Sequence, residues 1–274
     1  MTTNGKKDDP TLHSPRILCL HGGGVTGEVF RLQARALIAK LSPTFRLVFS
    51  DGPFYCDPGP GIVPVYANFG PYRRWLRWLP THAAIDAESA VDEIWFQLRT
   101  AMDDDDALGA DGEWVGLLGF SQGAKLSACL LFDQQVREEA KKRGDEGALM
   151  DKPTTWKFGV LLAGRAPLVS LSEYSAGRNG LVNAGEISEG FDSAPEDEGE
   201  ADAQGHTLRI PTVHVHGLLD PGLHLHRRLL NHYCDPKSVT LVEWDGNHRV
   251  PIKAVDVDKV VEATFDVARK TGVI

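Results

Sequence analysis

The pentapeptide Gly119-Phe120-Ser121-Gln122-Gly123 separates two segments of opposite character. Glu113-Trp114-Val115-Gly116-Leu117-Leu118 reads as a buried strand, and Ala124 to Phe132 as a helix with an apolar face. A Gly-x-Ser-x-Gly between strand and helix is the setting of a nucleophile elbow. So tight a turn leaves no room for side chains at Gly119 and Gly123, and it lifts the Ser121 hydroxyl clear of the sheet. It also turns the Gln122 N–H, at the helix start, toward any oxyanion formed on a carbonyl that Ser121 attacks. Taken alone, the pattern equally describes a Gly/Ser-rich loop; its flanks favour the elbow. The remaining chain must then supply a base, an acid and a second oxyanion donor.

Strand and helix signals alternate along the whole sequence. Strands are expected at 16–20, 45–49, 113–118, 157–163, 212–216 and 239–244, and helices at 26–41, 86–102, 122–142, 222–233 and 254–270. This alternation predicts an α/β fold, a mostly parallel, doubly wound sheet of about six strands. One domain is expected over 16–274, behind a disordered tail over 1–15. The charge run Asp103 to Asp106 reads as the solvated end of a helix. Two irregular stretches, 51–80 and 168–206, are too long for simple connections and are expected to form loop or cap excursions. The second holds eight acidic residues and no Lys or Arg between Glu186 and Asp202, nearly the whole net charge of −9. Residues 185–205 have little apolar surface to offset ordering, so they are expected to be mobile.

In open α/β sheets chemistry gathers beyond the carboxyl ends of strands. The 212–216 strand runs into Gly217-Leu218-Leu219-Asp220, and the 239–244 strand into Asp245-Gly246-Asn247-His248. The order Ser121, Asp220, His248 is the one an α/β-hydrolase triad takes. His248 would carry the Ser121 proton and Asp220 would fix its tautomer. Each also has a plainer reading, Asp220 as a helix cap and His248 as a surface loop residue. Asp245 is the rival acid, but so close to the histidine it reads as a turn residue. Backbone N–H groups of Gly23, and after it Gly24, in His21-Gly22-Gly23-Gly24 would join Gln122 in the oxyanion hole.

Two other chemistries compete for the same residues. Gly22-x-Gly24-x-x-Gly27, with Asp51 after the next strand, matches a dinucleotide-binding pattern but leaves the elbow unexplained. His214, His216, His224 and His226, with Asp220 among them, suggest a metal. However, His224 and His226 fall two apart on a helix and cannot share an ion, while His214 and His216 fit a half-buried strand face. Neither a metal nor a cofactor is therefore expected.

The same residues resemble the fungal serine hydrolase family of α/β-hydrolases over nearly the whole chain. The resemblance rests on Leu20-His21-Gly22-Gly23-Gly24, Phe30 with Gln33, Asp51-Gly52-Pro53-Phe54, the elbow, Asp220, and Gly246-Asn247-His248-x-Val250-Pro251. Pro58-Gly59-Pro60-Gly61-Ile62-Val63-Pro64-Val65 and Gly70-Pro71-x-x-Arg74-Trp75 look like the branch found in fungal polyketide gene clusters. Three features depart from the family pattern: Gly52 stands for the usual alanine, Asn247 for a glycine, and the acidic insert is long. The resemblance implies a thioesterase or esterase that releases or trims a polyketide product through an acyl-enzyme on Ser121. Its substrate would be a small acyl molecule, free or presented by an acyl carrier protein. The alternative is a non-hydrolytic acyltransferase, cyclase or polyketide-binding protein of the same fold. Phe54, Tyr72, Trp75 and Trp78 are candidates for the acyl pocket.

Bulk properties bound the setting. With no basic stripe to offset the acidic charge, nucleic acid is not expected as a partner. Four widely spaced cysteines without a Cys-x-x-Cys pair suggest a reducing compartment. Residues 1–15 lack a signal peptide's apolar core, and no window approaches a membrane span. A cytoplasmic protein is the expectation.

Overall fold

A computed structural model describes residues 9–149, 154–187 and 206–274. The elements run β1 (Arg16–Leu20), α1 (Gly27–Gln33), α2 (Arg35–Leu41), β2 (Arg46–Ser50), β3 (Phe54–Cys56), α3 (Val63–Tyr66) and β4 (Tyr72–Arg74). They continue with α4 (Ala87–Ala107), β5 (Trp114–Phe120), α5 (Gln122–Lys142), β6 (Phe158–Leu162), β7 (Leu168–Val169) and β8 (Leu181–Val182). The last are β9 (Thr212–Gly217), α6 (Leu223–Tyr233), β10 (Val239–Trp244) and α7 (Ala254–Lys270).

Six strands pair in the order β10-β9-β6-β5-β1-β2, and every pairing is parallel. Successive side chains of a strand point to opposite faces, and here both faces are covered. Ile17 and Cys19 join one apolar layer with Phe30, Phe45, Val257 and Val260. Leu18 and Leu20 join the other with Ile94, Trp95, Leu126 and Leu130. The chain is thus the doubly wound α/β domain that its alternation predicts. From β1 it winds outward to β2, and from β5 the opposite way to β6, β9 and β10. A crevice must open where the winding reverses, beyond the carboxyl ends of β1 and β5.

The structure corrects several local expectations. The helix expected over 26–41 is two helices that meet at Ala34 (φ −86°, ψ 5°). Hydrogen bonds from Ala34 to Phe30 and from Ile38 to Ala34 run across the joint, so this is a kink that keeps Phe30, Ala34, Leu37 and Leu41 all buried. Asp103–Asp106 does not simply form a solvated end. It lies within α4, and Asp105 is 5% exposed because it binds both Arg16 and Arg46. Of the tail expected over 1–15, residues 9–14 form turns, and Arg46 Nη1 donates to Asp9 and to Thr11 Oγ1, both at 2.7 Å.

The 51–80 excursion holds an antiparallel β3–β4 pair and α3, and a bridge from Arg73 to Val25 docks it beside the loop after β1. In the second excursion β7 and β8 pair in parallel, and Ser172 and Ser175 hold Asp133 of α5. Except for residues 185–187, the acidic stretch expected to be mobile lies outside the described residues. Among the described residues no helix is long and apolar enough to cross a membrane.

Candidate active site

Ser121 stands between β5 and α5 at φ 54°, ψ −115°, a conformation costly for a residue with a side chain (about 1–3 kcal/mol). Its surroundings enforce it. The Ser121 N–H donates to Leu162 O at 2.8 Å, and its carbonyl accepts from Lys125 N at 3.0 Å. A Cβ at Gly119 would fall 2.4 Å from Gly123 O, and one at Gly123 would fall 2.0 Å from Leu20 O. Only glycine fits either place, as the elbow reading requires.

His248, after β10, brings Nε2 to 2.9 Å from Ser121 Oγ and Nδ1 to 2.6 Å from Asp220 Oδ2. The Asp220 side chain is fully buried; its other oxygen accepts from Gly222 N at 2.8 Å, so it also caps the approach to α6. Burial is the largest single effect and pushes the Asp220 carboxyl up, but the hydrogen bond and charge of His248, with His226 and the Gly222 N–H, together outweigh it and hold the group below the usual carboxylate range. An ionised Asp220 orders the tautomer: Nδ1–H donates to it, and the Nε2 lone pair faces the serine hydroxyl. The arrangement can therefore take the Ser121 proton and return it. Asp245 is exposed and makes no such contact, so the rival acid is set aside. Three residues at sequence separations of 28 and 127 converge as the motif order anticipates.

The oxyanion donors divide. Gly24 N–H donates to Arg73 O at 2.9 Å, which removes it from the expected pair. Among the described residues no acceptor takes the N–H of Gly23 or Gln122. The Gly23 backbone lies under the Trp78 ring, 2.8 Å from where a Cβ would stand. Two side chains that the sequence reading did not single out hold this loop in place. His21 donates from Nδ1 to Gly22 O (2.6 Å) and accepts at Nε2 from Gly52 N (2.8 Å); burial pushes it down to about 4, so it is neutral. The Gln122 amide binds the backbone of Trp75 and Leu76. A polar residue inside an elbow was the available signal for the second.

The aromatic candidates separate as well. Trp75 is fully buried, its Nε1 donating to His21 O at 2.9 Å, so it is core rather than pocket wall. Tyr72 is 8% exposed and donates its hydroxyl to Tyr66 O, and Phe54 packs on the core under the Arg74 guanidinium. Trp78, half-buried and edge-on to His82, is the candidate whose ring lies over Gly23. Gly52, the departure from the family's alanine, lies where a Cβ would be 2.5 Å from Arg74 O. Nor does the Gly22–Gly27 segment act as a dinucleotide cradle: Asp51 Oδ1 already accepts from Gly27 N at 2.7 Å.

The histidines are fully buried, not half-buried: His214 and His216 on β9, and His226 on α6, against an exposed His224. Burial pushes His214 and His226 down to about 3 and His216 to about 4, so all three are neutral at pH 7. His226 and His224 diverge as expected, but His226 Nε2 lies 3.7 Å from Asp220 Oδ2.

A family model described as "Serine hydrolase (FSH1)" matches residues 11–260. The chain belongs to that family. Within it, the chain is similar to the esterase pigG of Monascus ruber, 50% identical over 275 residues, covering 100% of this chain and 98% of that one. It is similar to the esterase citA of the same fungus, at 47% identity over 98% of both chains. It is also similar to the esterase claE of Penicillium crustosum, at 46% identity over the full length of both. Among solved structures, this FSH1-family chain is similar to Arabidopsis thaliana SOBER1, with a TM-score of 0.49 and 18% identity over 93% of this chain and 99% of that one.

Proposed function

We propose that this serine hydrolase cleaves an acyl ester or thioester through an acyl-enzyme on Ser121. The observation that carries the reading is the contact of His248 with both Ser121 Oγ and Asp220 at the mouth of the crevice. Ser121 Oγ attacks the carbonyl carbon while its proton passes to His248 Nε2. The N–H groups of Gln122 and Gly23 take the developing oxyanion, and Asp220 stabilises the imidazolium. Collapse expels the alkoxide or thiolate, which leaves with the His248 proton. Water then repeats the sequence on the acyl-enzyme, releasing the free acid and restoring Ser121.

The substrate is a small acyl molecule, and the resemblance noted in the sequence makes it a polyketide-type product, free or held on an acyl carrier protein. The relatives named as esterases support ester cleavage. Four unpaired cysteines support a cytoplasmic setting. A fluorophosphonate probe labels Ser121, and Ser121→Ala abolishes labelling and turnover of a model acyl thioester. Labelling at another residue, or turnover retained in the alanine variant, overturns the mechanism. A cyclised product in place of free acid would keep Ser121 as nucleophile but replace water as the acceptor.

A further inference from the structure

Behind the triad stands a column of buried imidazoles. The ring centroids of His214 and His216 are 6.0 Å apart, those of His216 and His226 5.5 Å, and those of His226 and His248 6.2 Å. His214 has company in Thr212 Oγ1, 3.1 Å from its Nε2. His216 and His226 do not: both are 0% exposed, and among the described residues both nitrogens of each lack a hydrogen-bond partner. Leaving buried polar groups unpaired costs about 1–3 kcal/mol each, so an imidazole held this way invites a ligand.

His226 has one within reach. Its Nε2 lies 3.7 Å from Asp220 Oδ2, the same oxygen that holds His248 Nδ1 at 2.6 Å. One ligand atom from each of the three residues falls within 4.8 Å of the other two. Donor atoms around a tetrahedral zinc ion stand about 3.3 Å apart, between the 2.6 Å and 3.7 Å that separate Asp220 Oδ2 from the two imidazole nitrogens. A zinc-type ion takes imidazole nitrogens and carboxylate oxygens, the donor types these three residues supply. The His248 side chain, 28% exposed, leaves a way in from the crevice.

We infer that Asp220, His226 and His248 form an inhibitory site for a divalent transition-metal ion of the zinc type, with solvent in the fourth position. Two imidazoles and a carboxylate favour zinc, cobalt or nickel over magnesium or calcium, which take oxygen donors. Coordination through His248 Nδ1 moves the proton of that nitrogen to Nε2, with no net proton released. Nε2–H then donates to Ser121 Oγ and has no lone pair left for the serine proton. The enzyme is switched off without any contact between metal and serine.

The binding arm of the test does not depend on the proposed reaction. Untagged full-length chain carrying Ser121→Ala is titrated with Co2+, read by its visible absorption, and with Zn2+ in competition with a chromophoric chelator. The expected result is one ion per chain with a tetrahedral cobalt spectrum. His226→Leu should weaken binding at least tenfold, and His224→Ala, on the exposed side of α6, should leave it unchanged. In the wild type, Zn2+ lowers hydrolysis of a short-chain nitrophenyl ester and EDTA restores it, while Mg2+ does neither. No bound ion in the Ser121→Ala chain, or equal affinity in His226→Leu, overturns the site. If His226→Leu fails to fold by circular dichroism, His248→Ala takes its place, and unchanged affinity there overturns it equally. Loss of fluorophosphonate labelling without loss of cobalt binding would refute the reaction and leave the metal site standing.

Discussion

Gln122 holds Trp75 by its backbone: Gln122 Oε1 accepts the Trp75 N–H at 2.7 Å and that of Leu76 at 3.2 Å, while Nε2 donates to Leu76 O at 3.0 Å. The residue proposed to offer its N–H to the oxyanion thus also clamps the 51–80 excursion through its side chain. Gln122→Ala should cost about 1–3 kcal/mol, since three backbone groups lose partners. It should also lower kcat/KM by up to about 100-fold through misplacement of the oxyanion loop. The denaturation midpoint and the fluorophosphonate labelling rate separate the two effects; a stability loss with an unchanged labelling rate would mean that the clamp is structural only.

Gly23 makes a sharper test of the oxyanion hole. A methyl there meets the Trp78 ring at 2.8–3.2 Å, and because Trp78 is half-buried the ring can swing away while the fold survives. Gly23→Ala should lower kcat by roughly 10- to 1000-fold, with the melting temperature little changed. Adding Trp78→Ala removes the clash and should recover part of the loss. If the single variant keeps full kcat, the Trp78 ring yields without shifting the residue 23 N–H, and its packing on the loop does not position the donor.

These two tests mark where the sequence was legible. A period-two apolar pattern inside strands and a glycine pair around a serine are local signals, so the sheet, the elbow and the order Ser121, Asp220, His248 could be read without coordinates. Residues 51–80 could not be sorted in that way, because a loop tryptophan looks the same whether it lines a pocket or plugs the core. For Trp75 the deciding fact is a bond to His21 O, 54 residues away. Asp105 looked like one charge in a solvated run because its two arginines come from β1 and β2. His226 falls in the sequence among His214, His216, His224 and Asp220, but nothing local shows that His248, from the end of another strand, comes within 6.2 Å of its ring.

Acid should unfold this protein through its buried imidazoles. His21 and His216 sit at about 4, and His214 and His226 at about 3, all below the ordinary value of 6.5 and all chiefly because burial disfavours the charged form. In each case the unfolded chain binds the proton first. The stability is therefore complete above about pH 6.5 and is lost as pH falls toward 3–4. At pH 5 each histidine has given up about 2 kcal/mol. Urea midpoints between pH 7.5 and 5 should fall steeply, and His214→Leu should reduce that slope by about one proton, or 1.36 kcal/mol per pH unit. A flat profile over this range would mean that these imidazoles are hydrated.

Asp105 provides the converse case, a charge whose removal should harm the fold and spare the chemistry. It is 5% exposed and meets Arg16 Nη1 at 3.3 Å and Arg46 Nη2 at 2.7 Å, with the two arginine side chains only 7% and 11% exposed. Asp105→Ala leaves two guanidiniums facing each other in a poorly solvated place. Arg16 keeps Asp106 and Gly112 O, and Arg46 keeps Asp9 and Thr11, so neither is stranded altogether. The expected loss is therefore nearer the lower end of about 3–5 kcal/mol. Asp104→Ala, one position away and exposed, should change stability by less than about 0.5 kcal/mol. Because the network lies at the amino ends of β1 and β2, opposite the edge that carries Ser121, the labelling rate of folded Asp105→Ala should match the wild type. A slowed rate in fully folded protein would show that the strand ends are coupled through the sheet, and that the edge bearing the elbow is less rigid than its bonds suggest.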